Sequence, residues 1–278
     1  MTLRLRYGKD WRDSMWTLDF ISEHDFREHV RKTILNYGGK LASFDLERFN
    51  SNIVDPIKMI FDKTVYRYTW DEIISNEIFR QRDKSNNNDI GYFHQQIFQY
   101  IRGCTVPRTG WDVIFSPGKR IELPEGDSVS TVYVEMKNKH NTMNSSASAK
   151  TYMKMQGQLL ADDDCACFLV EAIAKHSQNT AWTISLDKAR HKHKRIRRVS
   201  MDRFYEAVTG EADALYRMCM VLPDVVEQVV SDENIIAVPN DTVADEIRRI
   251  ADSRGISFAM SLYLLGFGTY AGFPSPEK

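Results

Sequence analysis

The sequence predicts an α/β protein in which a mixed central β-sheet is flanked by helices, with helical segments at both ends of the chain. Three observations carry that prediction. Between Trp111 and Ser185 the chain reads strand, strand, helix, strand, strand, an order that pairs neighbouring strands and lays the helix on the sheet. Cys165 to Ile173 is an apolar run of strand length, the composition of a central strand covered on both faces. From His24 to Tyr37, from Phe44 to Tyr66 and again beyond Ser200, apolar residues recur at helical spacing.

At 278 residues the chain can bury a substantial core. It divides by pattern into a helical segment (1–68), a central core (69–210) and a second helical segment (211–278), expected to form one compact unit. The hydrophobic fraction of 42% and charged fraction of 27% are those of an ordinary globular protein. Net charge is −1, so any nucleic-acid surface must be a local basic patch offset by acids elsewhere. Cys104, Cys165, Cys167 and Cys219 are too scattered for a disulfide framework, and the C-x-C pair lacks the second pair a zinc site needs, so buried thiols are expected. Neither a signal peptide nor a stretch of about 20 apolar residues occurs, which predicts no membrane segment and a cytoplasmic protein.

Taken in order, the first helical stretch breaks or kinks at Pro56. Thr69 to Gln81 follows as a helix with Thr69 as cap and acids in its first turn. Glu77, Arg80 and Gln81 cluster on one flank of it. Lys84 to Asp89 reads as a turn. From Ile90 to Ile101 a helical stripe of Ile90, His94, Ile97 and Ile101 makes His94 either a hydrogen-bonded core histidine or, with Gln95, a brace for a carboxylate or a phosphate contact. After the two strands comes a polar stretch containing Lys139, His140, Asn141 and Asn144, suited to caps and to a nucleic-acid backbone. In the helix from Ala147 to Leu160, Ala149, Tyr152, Met153, Leu159 and Leu160 form the apolar arc, with Gln156 in its middle, and Lys150 and Lys154 fall on the solvated side, placed to contact DNA phosphate. Asp162 to Asp164 is an acidic bend. The block from Lys188 to Arg198, with Arg190, His191, Lys192, His193, Lys194 and Arg195, is either a solvated loop or a site for DNA phosphates. Ser200 caps a helix that Gly210 ends, and further helices punctuated by Pro223 and Gly255 complete the chain. The stretch from Ser261 to Phe267 is expected to dock on the body or on a second subunit.

The chemistry concentrates in Thr131 to His140, where Val132, Val134 and Met136 alternate with Tyr133, Glu135 and Lys137. A period of two places Glu135 and Lys137 on one face. Trp111 to Phe115 is also strand-like and carries Asp112 at its start, so a pairing of the two strands brings Asp112 to Glu135 and Lys137. Two carboxylates on one face repel unless a cation lies between them, and Mg²⁺ binds through one or two carboxylates together with water and phosphate oxygens. A lysine beside such an ion can orient an attacking water, help it lose a proton, or neutralise a phosphate.

Asp followed by Glu-x-Lys on the next strand is the pattern of the PD-(D/E)xK nucleases. The surrounding stretches, Gly91-Tyr92-Phe93-His94-Gln95, Gly110-Trp111-Asp112, Val134 to Asn144, and Arg197 through Pro223, resemble the type II restriction endonucleases that cut within GGNCC or GGWCC sites. The resemblance spans most of the chain after residue 70, with Trp111 standing where the superfamily motif has proline. It implies a restriction-endonuclease-like fold and Mg²⁺-dependent double-strand cleavage at a GGNCC-like palindrome. Asp112, Glu135 and the Met136 carbonyl would hold the metal while Lys137 activates water. It further implies a homodimer on double-stranded DNA, a cognate DNA methyltransferase as functional partner, and a prokaryotic cytoplasm. In such nucleases a preceding helix often adds an acid to the metal site, for which Glu77 is the candidate, unless it simply pairs with Arg80 or Gln81. Gln156 is placed to face the metal or to make an ordinary buried amide bond. Two other functions compete: a repair or junction-resolving nuclease reading DNA shape, and a DNA-binding regulator without catalysis, which would leave Asp112, Glu135 and Lys137 unexplained.

Overall fold

The strands around Asp112 and Glu135 are paired in the structure, a computed structural model that describes residues 16–40, 43–140, 143–186, 189–233 and 240–267. In chain order the strands are β1 (Cys104–Thr105), β2 (Val113–Phe115), β3 (Ile121–Leu123), β4 (Asp127–Val129), β5 (Thr131–Lys139), β6 (Cys165–Ile173), β7 (Asn179–Leu186) and β8 (Ala189–Ser200). The helices are α1 (Glu23–Lys40), α2 (Leu46–Asn50), α3 (Pro56–Tyr66), α4 (Trp70–Gln96), α5 (Ser145–Ala161), α6 (Met201–Thr209), α7 (Ala214–Asp232), α8 (Val243–Arg254) and α9 (Phe258–Phe267). Six strands form one sheet in the order β1-β2-β5-β6-β8-β7, and β3 pairs with β4. β5, β6 and β8 are parallel, whereas β1, β2 and β7 run antiparallel to their neighbours. The mixed sheet with flanking helices is the architecture the sequence predicts.

Two compact units share the chain, and neither is a single run of it. Residues 1–32 and 90–232 make one, which holds the whole six-stranded sheet, and residues 33–89 and 233–278 make the other. In the first unit a parallel β5–β6 pair needs a long crossover, which α5 supplies. Asn144 caps α5 by accepting the Ala147 N–H at 2.8 Å. The helix buries Tyr152 and Met155 against Cys167, Leu169, Trp182, Ile184 and Ile196, and Met155 alone contributes about 1.5–3 kcal/mol by leaving water. Met153 and Leu160, expected in the apolar arc, are exposed instead. β6 is buried from Cys165 to Glu171. α6 packs beside β6 and β8, and Phe98 lies against Phe204 with ring centroids 4.7 Å apart.

The second unit is helical. Its core joins Phe44, Phe49, Val54, Met59, Ile73, Ile74 and Ile78 to Val243, Ile247 and Leu262. Pro56 opens α3 at the first helical turn, where its missing N–H costs nothing. Thr69 and Glu72 form a reciprocal capping box at the start of α4, with the Thr69 N–H donating to Glu72 at 2.7 Å and the Glu72 N–H to Thr69 Oγ1 at 3.3 Å.

Three local expectations need correction. Lys84 to Asp89 is not a turn but part of the continuous helix α4; Asn87 donates to Asp83 at 2.9 Å one turn back, and Asp89 is buried, so packing overrides turn preference. Pro223 lies inside α7 and not at a boundary. Met218 and Val225 bury one face on either side of it, which outweighs the lost backbone bond. The basic block is neither loop nor uniformly exposed: it forms β8, with Arg197 only 1% exposed and donating to the Lys194 carbonyl at 2.8 Å and the Asn179 carbonyl at 2.7 Å. β6 pairs β8 only from Ile196 to Ser200, so Ala189 to Lys192 extend beyond it as an arm paired with β7 alone. Among the described residues no helix is long and apolar enough to cross a membrane.

Gly103 sits just before β1 at φ +82°, and a Cβ there would lie 2.9 Å from the Pro117 Cα. Both the left-handed backbone and the close approach demand glycine. Gly103→Ala is expected to cost about 1–3 kcal/mol, read as a lower urea midpoint at unchanged slope; an unchanged midpoint would mean that the 116–117 backbone relaxes freely.

Candidate active site

β2 and β5 meet at Val134 through two successive residues, because Val113 is its register partner while the Asp112 N–H donates to its carbonyl at 3.0 Å. The chain bends there, and the Asp112 carboxylate reaches along β5 to accept the Met136 N–H at 2.7 Å. Val132 and Val134 are buried, so alternation turns Glu135 and Lys137 together to the other face of β5. Lys137 Nζ donates to Glu135 Oε1 at 3.0 Å. The strand pair thus brings Asp112, Glu135 and Lys137 together.

A residue that the sequence placed elsewhere completes this group. Lys154 of α5, expected on the solvated side, donates to Glu135 Oε2 at 2.7 Å and to the Gly110 carbonyl at 2.5 Å. Its ammonium also lies over the Trp111 ring, 4.1 Å from the centroid, a cation–π contact. The expected arc was rotated: the buried face centres on Tyr152 and Met155, which leaves Lys154 on its flank, where a long stem can follow the apolar surface to a carboxylate. Trp111 is held in turn by Gln158, which accepts its indole N–H at 3.3 Å.

The two acids differ electrostatically. Burial, and then the negative charge of Glu135, push the Asp112 carboxyl above its ordinary value despite the Met136 N–H and the two lysines. Burial would also raise Glu135, but the hydrogen bond from Lys154 and the charge and hydrogen bond of Lys137 outweigh it, and Glu135 lies below its ordinary value. Because folding raises the Asp112 pKa, its ionised form is disfavoured in the native state above that pKa, and the penalty is relieved as pH falls through it. Asp112→Asn is therefore expected to stabilise the metal-free protein at neutral pH. Melting curves in chelator at pH 7 should show the gain, and melts below the carboxylate range should not.

Among the described residues no three His, Cys, Asp or Glu side chains cluster as a metal cage. The donors present are two carboxylates and adjacent backbone carbonyls. Such a set suits a hard divalent ion that keeps several waters and shares substrate oxygens, and it does not suit zinc in a closed site.

The remaining candidates divide. Gln95 braces the site by donating to the Asp112 carbonyl at 3.2 Å, and Gly91 lies against the Asn138 side chain, so this end of α4 packs beside both strands. His94 is half-buried against Phe93, and burial lowers its pKa. The Gln156 side chain makes no hydrogen bond among the described residues. Glu77 belongs to the helical unit, where it accepts from Arg80 Nε at 2.7 Å and Gln81 Nε2 at 3.1 Å, the simple pairing that its spacing allowed. Asn141 lies outside the described residues. His140 faces inward to Glu171, Nδ1 to Oε2 3.2 Å. Lys139, Lys150, Arg190, Lys192, His193 and Lys194 are exposed and His191 is half-buried. Arg195 Nε donates to Asp127 at 2.8 Å, and Lys194 pairs with the same carboxylate at 2.9 Å, which fastens β8 to the β3–β4 hairpin.

A second charged cluster went unread in the sequence. Glu171, 1% exposed, accepts from Arg198 Nε at 2.9 Å, and Arg198 also donates to the His140 carbonyl at 3.1 Å. Lys137 and Glu171 are register partners on β5 and β6, so the cluster adjoins the Glu135–Lys137 end of the sheet. The signal was one acid inside an otherwise apolar strand, which demands a cationic partner.

The family described as Eco47II restriction endonuclease matches residues 18–231, a span that contains every member of both clusters. Over 214 residues the chain is 30% identical to the type II restriction enzyme Sau96I of Staphylococcus aureus, covering 74% of this chain and 78% of that enzyme. Over 228 residues it is 27% identical to the type II restriction enzyme Eco47II of Escherichia coli, covering 78% of this chain and 90% of that enzyme. The resemblance read from the stretches around Asp112 and Glu135 is borne out: the chain belongs to the Eco47II restriction endonuclease family.

Proposed function

We propose that this protein is a Mg²⁺-dependent type II site-specific deoxyribonuclease of the PD-(D/E)xK kind, cutting both strands at a GGNCC-like palindrome. The observation that carries this reading is the convergence of Asp112, Glu135 and Lys137 on one end of the β2–β5 pair. Asp112, Glu135 and the Met136 carbonyl would hold the metal, which when bound supplies Lewis acidity toward water and phosphate. Lys137 is tied to Glu135 and orients the attacking water through its ammonium. Gln95 fixes the backbone of Asp112, so the acid is aimed before substrate arrives. Water oxygen bonds to phosphorus and gives up a proton to solvent, one P–O ester bond breaks, and the departing oxygen takes a proton from solvent. A palindrome is matched by a two-fold homodimer with one site per strand, and a cognate methyltransferase would protect the host's own sites. Both belong to this proposal.

Incubation with a sequenced plasmid in Mg²⁺ and mapping of the ends tests it. Discrete fragments ending at one palindrome are expected; random degradation, action on branched DNA alone, or specific binding in Ca²⁺ with no cutting in Mg²⁺ would replace it with another function. On the β7–β8 arm, Lys192→Ala should weaken DNA binding and reduce the slope of log K against log salt by about 1. An unchanged slope removes Lys192 from the interface.

A further inference from the structure

Glu135 has both oxygens occupied, Oε1 by Lys137 at 3.0 Å and Oε2 by Lys154 at 2.7 Å. If Glu135 is a metal ligand, as proposed above, an arriving cation competes with two ammoniums for its oxygens and is repelled by both. Lys137 is carried on the same strand two residues away and stays beside the carboxylate. Lys154 comes from α5, its side chain is 37% exposed, and it keeps two other holds, the Gly110 carbonyl and the Trp111 ring. It can release Glu135 without being stranded. Charge points the same way: Asp112 and Glu135 balance Lys137 and Lys154, so a divalent ion leaves two excess positive charges until a lysine turns toward a DNA phosphate.

We infer that Lys154 is a resident counter-ion, which holds Glu135 charged and in place before the divalent ion binds, yields its oxygen to that ion, and then faces the phosphate. It is a positioning residue that competes with the metal. This role differs from a purely structural one in sign, because a structural prop would lose metal affinity when removed, whereas a competitor would free it.

The test is Mn²⁺ binding to the full chain without DNA, by titration calorimetry, alongside cleavage assays. Lys154→Met should bind Mn²⁺ about tenfold more tightly, from removal of one competing unit charge, while cleaving several-fold more slowly. Lys154→Arg, which keeps the charge, should bind Mn²⁺ as the parent does. Glu135→Gln should lose Mn²⁺ binding. Unchanged or weaker Mn²⁺ binding in Lys154→Met, with Glu135→Gln still losing it, overturns the counter-ion role alone. Retention of Mn²⁺ by Glu135→Gln overturns the metal-ligand reading and this inference with it.

Discussion

Glu135→Ala is expected to lower the cleavage rate at least about a thousandfold, equivalent to about 4 kcal/mol of barrier, while specific DNA binding in Ca²⁺ stays within a few-fold. Glu135 is half-buried in the middle of β5 and, among the described residues, is the one that engages Lys137 and Lys154 simultaneously. Removing it leaves two ammoniums without the carboxylate they share and, on the proposed reading, Asp112 alone to hold a cation. DNA affinity, in contrast, resides in many phosphate contacts. Lys137→Ala should cut the rate by about a hundred- to ten-thousandfold with equally little effect on binding. Single-turnover cleavage and Ca²⁺ gel shifts separate the two quantities, and loss of specific binding in a folded variant would count against the assigned roles.

The second large effect is on stability. Arg198→Ala should destabilise the sheet-bearing unit by about 3–5 kcal/mol, the usual cost of leaving a buried ion without its partner. Glu171 is almost completely enclosed, and among the described residues His140 would be its remaining side-chain hydrogen-bond partner. Replacing both ions, as Glu171→Leu with Arg198→Met, should recover most of that loss, because apolar groups of similar volume need no counter-charge. Urea denaturation of Glu171→Leu, Arg198→Met and the double variant measures the coupling. A double variant as unstable as the sum of the singles would show that the pair acts independently.

How much was legible follows from which regularities are local. Glu135 and Lys137 share a face because strand alternation is fixed by covalent geometry, and Asp112 joins them once neighbouring strands pair. The helix over 145–161 was also legible, but its buried face was not: Met153 and Leu160 are apolar yet exposed, and the true face became evident only against Cys167 and Leu169. That rotation is why the sequence puts Lys154 on the solvated side, whereas it reaches Glu135. His140, Glu171 and Arg198 lie on or beside three different strands, and the register of parallel strands is not written in either strand alone. Lys84 to Asp89 carries strong turn composition, yet a buried Asp89 and an Asn87–Asp83 bond hold it helical.

The helical unit has a consequence for biosynthesis. Phe49 and Ile74 share one core with Ile247 and Leu262, so its two halves leave the ribosome with the entire sheet-bearing segment made between them. Closure over so long an intervening chain is slow. Until the stretch around residue 262 emerges, the apolar faces of α2, α3 and the first part of α4 have no lasting cover, and a nascent or prematurely terminated chain is left exposed to chaperones and proteases.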